Sequence, residues 1–98
     1  MAKHERQYWH RPDGGESEVD LRIARHALWL LGDELNGQDG GDFVTRLWRL
    51  ITSADETNRD LIRSIYPGYV EAFEAGMHTT WGLDWLRTKV LDELVSHV

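Results

Sequence analysis

Apolar residues recur along most of this chain at the three- and four-residue spacing of helices, and the alternation typical of strands is nearly absent. The pattern predicts an all-α fold, a compact bundle of about five helices. The predicted helices run from 17 to 36, from 43 to about 52, from 56 to 66, from 67 to about 76, and from 79 or 80 to the C-terminus.

The predicted helix starts depend on capping residues. Ser17 with Asp20, and Ser53 with Glu56, have the spacing of capping boxes, in which the serine accepts a bond from a backbone N–H one turn later. The other expected caps are Asp42 for the second helix and Thr79 or Thr80 for the fifth.

A Pro-Gly elbow separates the third and fourth helices. Pro67 disfavours helical geometry at Tyr66 but suits the first turn of a new helix, and we expect Gly68 to let the chain change direction. We expect the apolar sets on the two sides to bury against different neighbours. They are Leu61, Ile62, Ile65 and Tyr66 before the elbow, and Tyr69, Val70, Phe73 and Met77 after it.

The length of 98 residues indicates a single domain, with residues 17–98 forming the helical body. Residues 1–16, which contain "RPDGG", are predicted to form a partly flexible N-terminal arm. The chain has no cysteine, which fits a reducing compartment, and no apolar run of about 20 residues. We therefore expect a cytoplasmic protein without a membrane span.

Charge is unevenly spread along the chain. The formal net charge is -6, although residues 1–12 carry three basic residues against one acidic one. An acidic body repels nucleic acid and steers basic partners toward the protein. The basic arm is also complementary to that body.

Two predicted helices carry apolar residues outside their main apolar stripe. In the first helix the stripe runs from Val19 to Leu35 and covers roughly 200°, which is wide for a surface helix and indicates a central helix or half of an oligomer interface. Trp29 lies opposite this stripe.

In the last helix Trp81 and Trp85 lie opposite the apolar stripe of that helix, while Arg87 falls inside it and requires a partner. The last stripe comprises Leu83, Leu86, Val90, Leu91, Leu94, Val95 and Val98.

These tryptophans have two interpretations. In one, the N-terminal arm covers them with Tyr8 and Trp9. In the other, they are an exposed protein-binding hot spot, because tryptophan buries a large area at low entropic cost. Both interpretations hold if the arm covers the tryptophans in the free protein and moves aside when a partner binds. The predicted partner-binding residues are Trp29, Trp81, Trp85, Tyr8 and Trp9.

Sequence motifs for catalysis or cofactor binding are missing. The five histidines include no pair four residues apart, and the glycines match no phosphate-binding loop. We predict no metal site, no cofactor and no catalytic residue, so the chain is not expected to be an enzyme. The second and third helices superficially match a helix-turn-helix. DNA binding is nevertheless the least favoured function, because acidic neighbours cancel Arg59 and Arg63.

The stretch "ADETNRDLIRSIYPGYVEAFEA", residues 54–75, resembles a pattern in small uncharacterised helical proteins of actinobacteria and their phages. The resemblance implies a phage or phage-like accessory protein. Gly68 departs from the pattern. The matching positions are Asp55, Asn58, Arg59, Tyr66, Pro67, Val70 and Ala72.

Together these observations predict a non-catalytic protein-binding module, acting as an accessory protein that modulates a host or virion protein in the host cytoplasm. The alternative is a structural self-assembling protein, in which the broad stripe of the first helix closes a homodimer or ring.

Overall fold

The computed structural model describes residues 10–96, and it confirms the predicted all-α bundle of five helices. Within that range the only extended pairing is a single bridge between His10 and Glu16. None of these helices combines the length and apolar character that a bilayer crossing needs. The helices are α1 (Leu21–Leu30), α2 (Gly41–Ser53), α3 (Glu56–Ile65), α4 (Pro67–His78) and α5 (Gly82–Ser96).

The central helix of the bundle is α4, which packs against each of the other four helices. Seven of its twelve residues are buried, and they lie on all sides of the helix. The sequence had favoured the first helix for the centre or for an oligomer interface. Instead α1 packs within the chain against α2, α4 and α5. The buried residues of α1 are Ile23, Ala24, Ala27 and Leu28.

The first helix is shorter than predicted. It ends at Leu30, and Gly32 adopts a positive φ of 99° that reverses the chain. Asp33 then accepts hydrogen bonds from the backbone and side-chain nitrogens of Asn36, at 3.1 and 2.9 Å. Leu35, predicted to lie in the apolar stripe, is therefore in a loop and 93% exposed.

Aspartates cap α1 and α3, where the sequence predicted serines. Asp20 accepts from the Ile23 N–H and Asp55 from the Asn58 N–H, each at 2.8 Å. A carboxylate at a helix N-terminus also interacts favourably with the helix dipole. Ser53 instead ends α2, and Ser17 accepts from the Val19 N–H. The remaining predicted caps were also wrong, because Asp42 lies in the first turn of α2, Thr79 hydrogen bonds to Ala75 in α4, and α5 begins at Gly82.

The elbow between α3 and α4 is present, with Pro67 in the first turn of α4. Gly68 is needed there for close packing. A Cβ at this position would lie 2.6 Å from Ile23 Cδ1 and 2.8 Å from the Glu18 carbonyl oxygen. The glycine thus lets the segment that leads into α1 cross α4 at close range.

The two apolar sets around the elbow differ in burial. After it, Tyr69, Val70 and Phe73 enter the core, whereas Met77 is exposed. Before it, Ile62 packs partly on the core. The prediction of burial was wrong for the other three residues of that set, which are exposed: Leu61, Ile65 and Tyr66.

Candidate protein-binding surface

Trp85 belongs to the core, so the interpretation in which it is exposed was wrong, and it contacts His10 of the predicted N-terminal arm, as the other interpretation expected of the arm. The side chain is 4% exposed, and its Nε1–H donates to the His10 carbonyl oxygen at 3.2 Å. The Trp81 ring meets the Trp85 ring edge-on, with centroids 5.7 Å apart. The helical wheel missed this burial because the covering residue is 75 positions away in the sequence.

Lys89 lies beside Trp85 and is almost completely buried. Its Nζ is 5.1 Å from the centroid of the Trp85 ring, an arrangement that favours a cation. Burial nevertheless lowers the pKa of Lys89 to about 8, and the nearby carboxylates of Glu71 and Asp20 oppose that change. The surroundings of Lys89 therefore disfavour the charged form of its amine.

Glu71 is a second buried charge in this region. Its Oε1 accepts from the Glu18 N–H at 2.8 Å, and its Oε2 lies 3.8 Å from Arg11 Nη1. It also lines a cleft of about 250 Å³ together with His78 and Trp81. Among the described residues no three His, Cys, Asp or Glu side chains are placed to hold a metal ion. The charges around Glu71 fasten the segment 10–20 to α4.

The predicted tryptophan surface is only partly described by the structure. Trp29 and Trp81 are half-buried, and Trp81 packs against the core. Tyr8 and Trp9 lie outside the described residues. With Trp85 in the core, contact through Trp29 and Trp81 stays a prediction.

A different apolar surface lies on α2 and α3. None of the ten residues of α3, all within the described range, is buried. Five large side chains on these two helices and at the residue after α3 are between 36% and 70% exposed. We call them the α2–α3 surface: Phe43, Leu50, Leu61, Ile65 and Tyr66.

These five residues lie on or next to two helices that follow one another in the chain and that both pack on α4. Only Ala54 and Asp55 join α2 to α3, and at the opposite end the rings of Phe43 and Tyr66 are 5.9 Å apart. Leu50 follows Phe43 by seven residues, so it lies on the same side of α2. On α3, Leu61 and Ile65 are four residues apart and share a side.

Polar contacts fix α3 to α4 on the side away from these apolar residues. Arg63 forms two hydrogen bonds with Glu74, at 2.7 and 3.0 Å, and one with Asp60 at 3.1 Å. The bond from Arg63 holds the pKa of Glu74 below its usual value. The Arg59 guanidinium lies 5.1 Å from the centroid of the Phe73 ring. Both arginines are therefore engaged inside the molecule.

Other charged side chains near the α2–α3 surface point to solvent. Arg46 and Arg49 on α2 and Glu56 on α3 are exposed. None of the three forms an ion pair with any residue between 10 and 96. Thus α2 exposes two basic side chains, whereas α3 begins with acidic residues.

A second exposed apolar set lies on α5, where the sequence predicted a buried stripe. Its members are about half exposed or more, and they approach residues 97–98, which lie outside the described range. They are Leu91, Leu94 and Val95. The α2–α3 surface, in contrast, is surrounded by described residues.

The α2–α3 surface was not predicted, because Leu61, Ile65 and Tyr66 were expected to be buried and no surface was expected at Phe43 or Leu50. Comparisons of the chain with protein-family models, with curated proteins and with solved structures give no match.

Proposed function

We propose that this protein is a non-catalytic protein-binding module that receives an amphipathic helix of another polypeptide on the α2–α3 surface. One observation carries the proposal: two consecutive helices and the residue after them expose five large apolar side chains, and α3 buries none of its own residues. Large exposed apolar patches are rare on proteins that do not use them for contact.

The shape of the surface favours a helical partner. The two consecutive helices present apolar residues at seven- and four-residue spacing, which matches the apolar stripe of a partner helix. Phe43 and Tyr66 supply aromatic side chains of the kind that anchor such contacts. Exposed Arg46 and Arg49 on one helix, and Glu56 on the other, are complementary to a helix whose stripe is bordered by opposite charges.

The wider role in this proposal is that of a phage or phage-like accessory protein in the host cytoplasm, which binds a host or virion protein. The resemblance of residues 54–75 to helical proteins of actinobacteria and their phages supports this role. That stretch includes α3 and the elbow, so it contains part of the proposed contact surface.

The test uses the full chain as bait in a host extract, followed by identification of the captured protein and reconstitution with the purified partner. Leu61→Asp combined with Ile65→Asp should weaken binding at least ~100-fold, because charges would replace two central apolar contacts. Circular dichroism should show unchanged helix content, since both side chains are exposed in the free protein.

The matched control is Leu91→Asp combined with Leu94→Asp, which alters an equally exposed apolar pair on α5. This variant should bind the purified partner as tightly as the wild type. Full binding by the α3 variant, together with loss of binding by the α5 variant, would overturn the proposed surface. Trp29→Ala in the same assay tests the surface predicted from sequence.

A further inference from the structure

We propose that the cleft of about 250 Å³ between residues 10–18 and α4 binds a guanidinium group, carried either by an arginine side chain or by a free small molecule. Pockets for drug-sized ligands measure about 300–1,000 Å³, so this cleft suits a single side chain or a small cation. It shares no residue with the α2–α3 surface, and the two proposals are therefore independent.

Glu71 brings a half-satisfied carboxylate to this cleft. Its side chain is only 10% exposed. Its Oε1 accepts from the Glu18 N–H, but its buried Oε2 accepts no hydrogen bond from any residue between 10 and 96. Arg11 Nη1, at 3.8 Å, is too distant to donate one. Because a buried carboxylate oxygen without a donor is costly, the cleft offers an acceptor to a ligand that brings N–H groups.

The other charges of the cleft favour a cation over an anion. Arg11 is paired with Asp13, so an anionic ligand would find no free guanidinium there. His78, the last residue of α4, also lines the cleft, and the C-terminal end of a helix carries a partial negative charge. Trp81 adds an aromatic ring, on which a planar guanidinium can stack.

Arg11 already holds a guanidinium near the place that the ligand would take. Its Nε donates to Asp13 Oδ1 at 3.0 Å, and this bond fixes the group without bringing it to hydrogen-bonding distance from Glu71. Lys89, the other cation near Glu71, is buried and does not line the cleft. A ligand guanidinium would therefore displace Arg11 and form the direct hydrogen bond that Arg11 does not make.

The chain around Arg11 can move at low cost. None of residues 10–18 is buried. Polar bonds attach them to the helices, from the Trp85 indole N–H to the His10 carbonyl and from the Glu18 N–H to Glu71. Segments with few buried apolar contacts open at a small fraction of the free energy of global unfolding. Val19, which is buried, would hold the later part of the segment in place.

NMR titration of the isotope-labelled full chain with blocked arginine, followed at the Trp81 indole, tests the proposal. Binding should have a dissociation constant in the millimolar range, as expected for a ligand of this size. Blocked citrulline has nearly the same shape without the charge, and it should bind at least ~10-fold more weakly. Equal binding of the two compounds would overturn the proposal.

Substitutions of the two charged residues should have opposite effects. Glu71→Gln should weaken binding at least ~10-fold, because the amide lacks the charge, although its oxygen can still accept from Glu18. Arg11→Gln should tighten binding about 3- to 10-fold, because the resident guanidinium no longer competes. Glu34→Gln removes an exposed carboxylate elsewhere, and it should leave binding unchanged. Circular dichroism should show the same helix content for all three variants.

Two results would each overturn the site: no binding of blocked arginine at about 20 mM by either the wild type or Arg11→Gln, or equal binding by the wild type and Glu71→Gln. A glycine-rich peptide with one central arginine separates the two sources of the group. If it binds ~10-fold or more tightly than blocked arginine does, the guanidinium belongs to a polypeptide, whereas equal binding assigns it to a small molecule.

Discussion

Arg87 Nε lies 2.7 Å from Asp33 Oδ2 and so joins α5 to the loop that follows α1. The sequence placed Arg87 inside an apolar stripe, where a charge requires a partner, and Asp33 is that partner. A second bond reaches Asp84 at 3.2 Å. The hydrogen bonds from Arg87 and then from Asn36 lower the pKa of Asp33 to about 2.

This ion pair predicts a specific loss of stability in acid. Because the pKa of Asp33 is lowered in the folded chain, its stabilising contribution is present above the ordinary value of 3.8 and is lost as the pH falls toward about 2. Asp33→Asn should lower the urea midpoint at about pH 6 and have a clearly smaller effect near pH 2. Asp84→Asn is the control, and it should have little effect because that carboxylate is exposed. An equal effect of Asp33→Asn at both pH values would contradict this account.

The burial of Trp85 predicts that it stabilises the fold more than Trp81 does. Trp85→Ala should cost about 3–5 kcal/mol, because it opens a cavity and removes the bond to His10. Trp81→Ala should cost less, since that ring is half exposed. Trp85→Phe keeps most of the packing and should cost about 1 kcal/mol through loss of the N–H donor. Urea unfolding measures all three, and equal losses for the two alanine variants would place both rings in similar surroundings.

The lowered pKa of Lys89 predicts that the folded chain becomes more stable as the pH rises into the alkaline range. Its folded pKa of about 8 lies below the ordinary 10.5, so the unfolded chain binds more protons between these values and stability rises with pH there. Relative to Lys89→Met, the wild type should gain about 3 kcal/mol between pH 8 and 10.5, at about 1.4 kcal/mol per pKa unit. Urea unfolding of both chains across this range gives the comparison. If the stability of the two chains changes in parallel across this pH range, the folded protein does not disfavour the charged form of the Lys89 amine.

The close packing around Gly68 predicts that replacing this helical glycine with alanine lowers the stability of the protein. Alanine in place of glycine usually stabilises a helix by up to about 1 kcal/mol. Gly68→Ala should instead destabilise by about 1–3 kcal/mol, because its Cβ would overlap Ile23 and the Glu18 carbonyl. Thr57→Ala, at an exposed position of α3, should change stability by less than about 0.5 kcal/mol. If Gly68→Ala stabilises the protein, the segment that leads into α1 must shift readily to make room for the added methyl group.

The helices and the elbow could be predicted because their signals are local. Apolar spacing and Pro67 act within a few residues, and both appear in the structure. The choice of Asp20 over Ser17 as a cap was not predictable in the same way, since both residues suit the position. The path of the chain around the cap decides between them.

The exposed α2–α3 surface could not be predicted because burial depends on distant neighbours. Leu61 and Ile65 have the spacing of core residues, and no local signal says that α4 is contacted by Arg59 and Arg63 instead. For Trp85 the sequence left open whether the N-terminal arm covers the ring, and in the structure His10, 75 residues earlier, contacts it. In both cases the missing information was which elements meet.

Because α3 supplies none of the fully buried side chains, substitutions at its exposed positions should have little effect on the stability of the fold. Mutations at Leu61 or Ile65 can therefore alter the outer surface of α3 without first unfolding the chain. A lineage carrying this chain could remodel that surface in few steps, on a scaffold whose other four helices remain as they are.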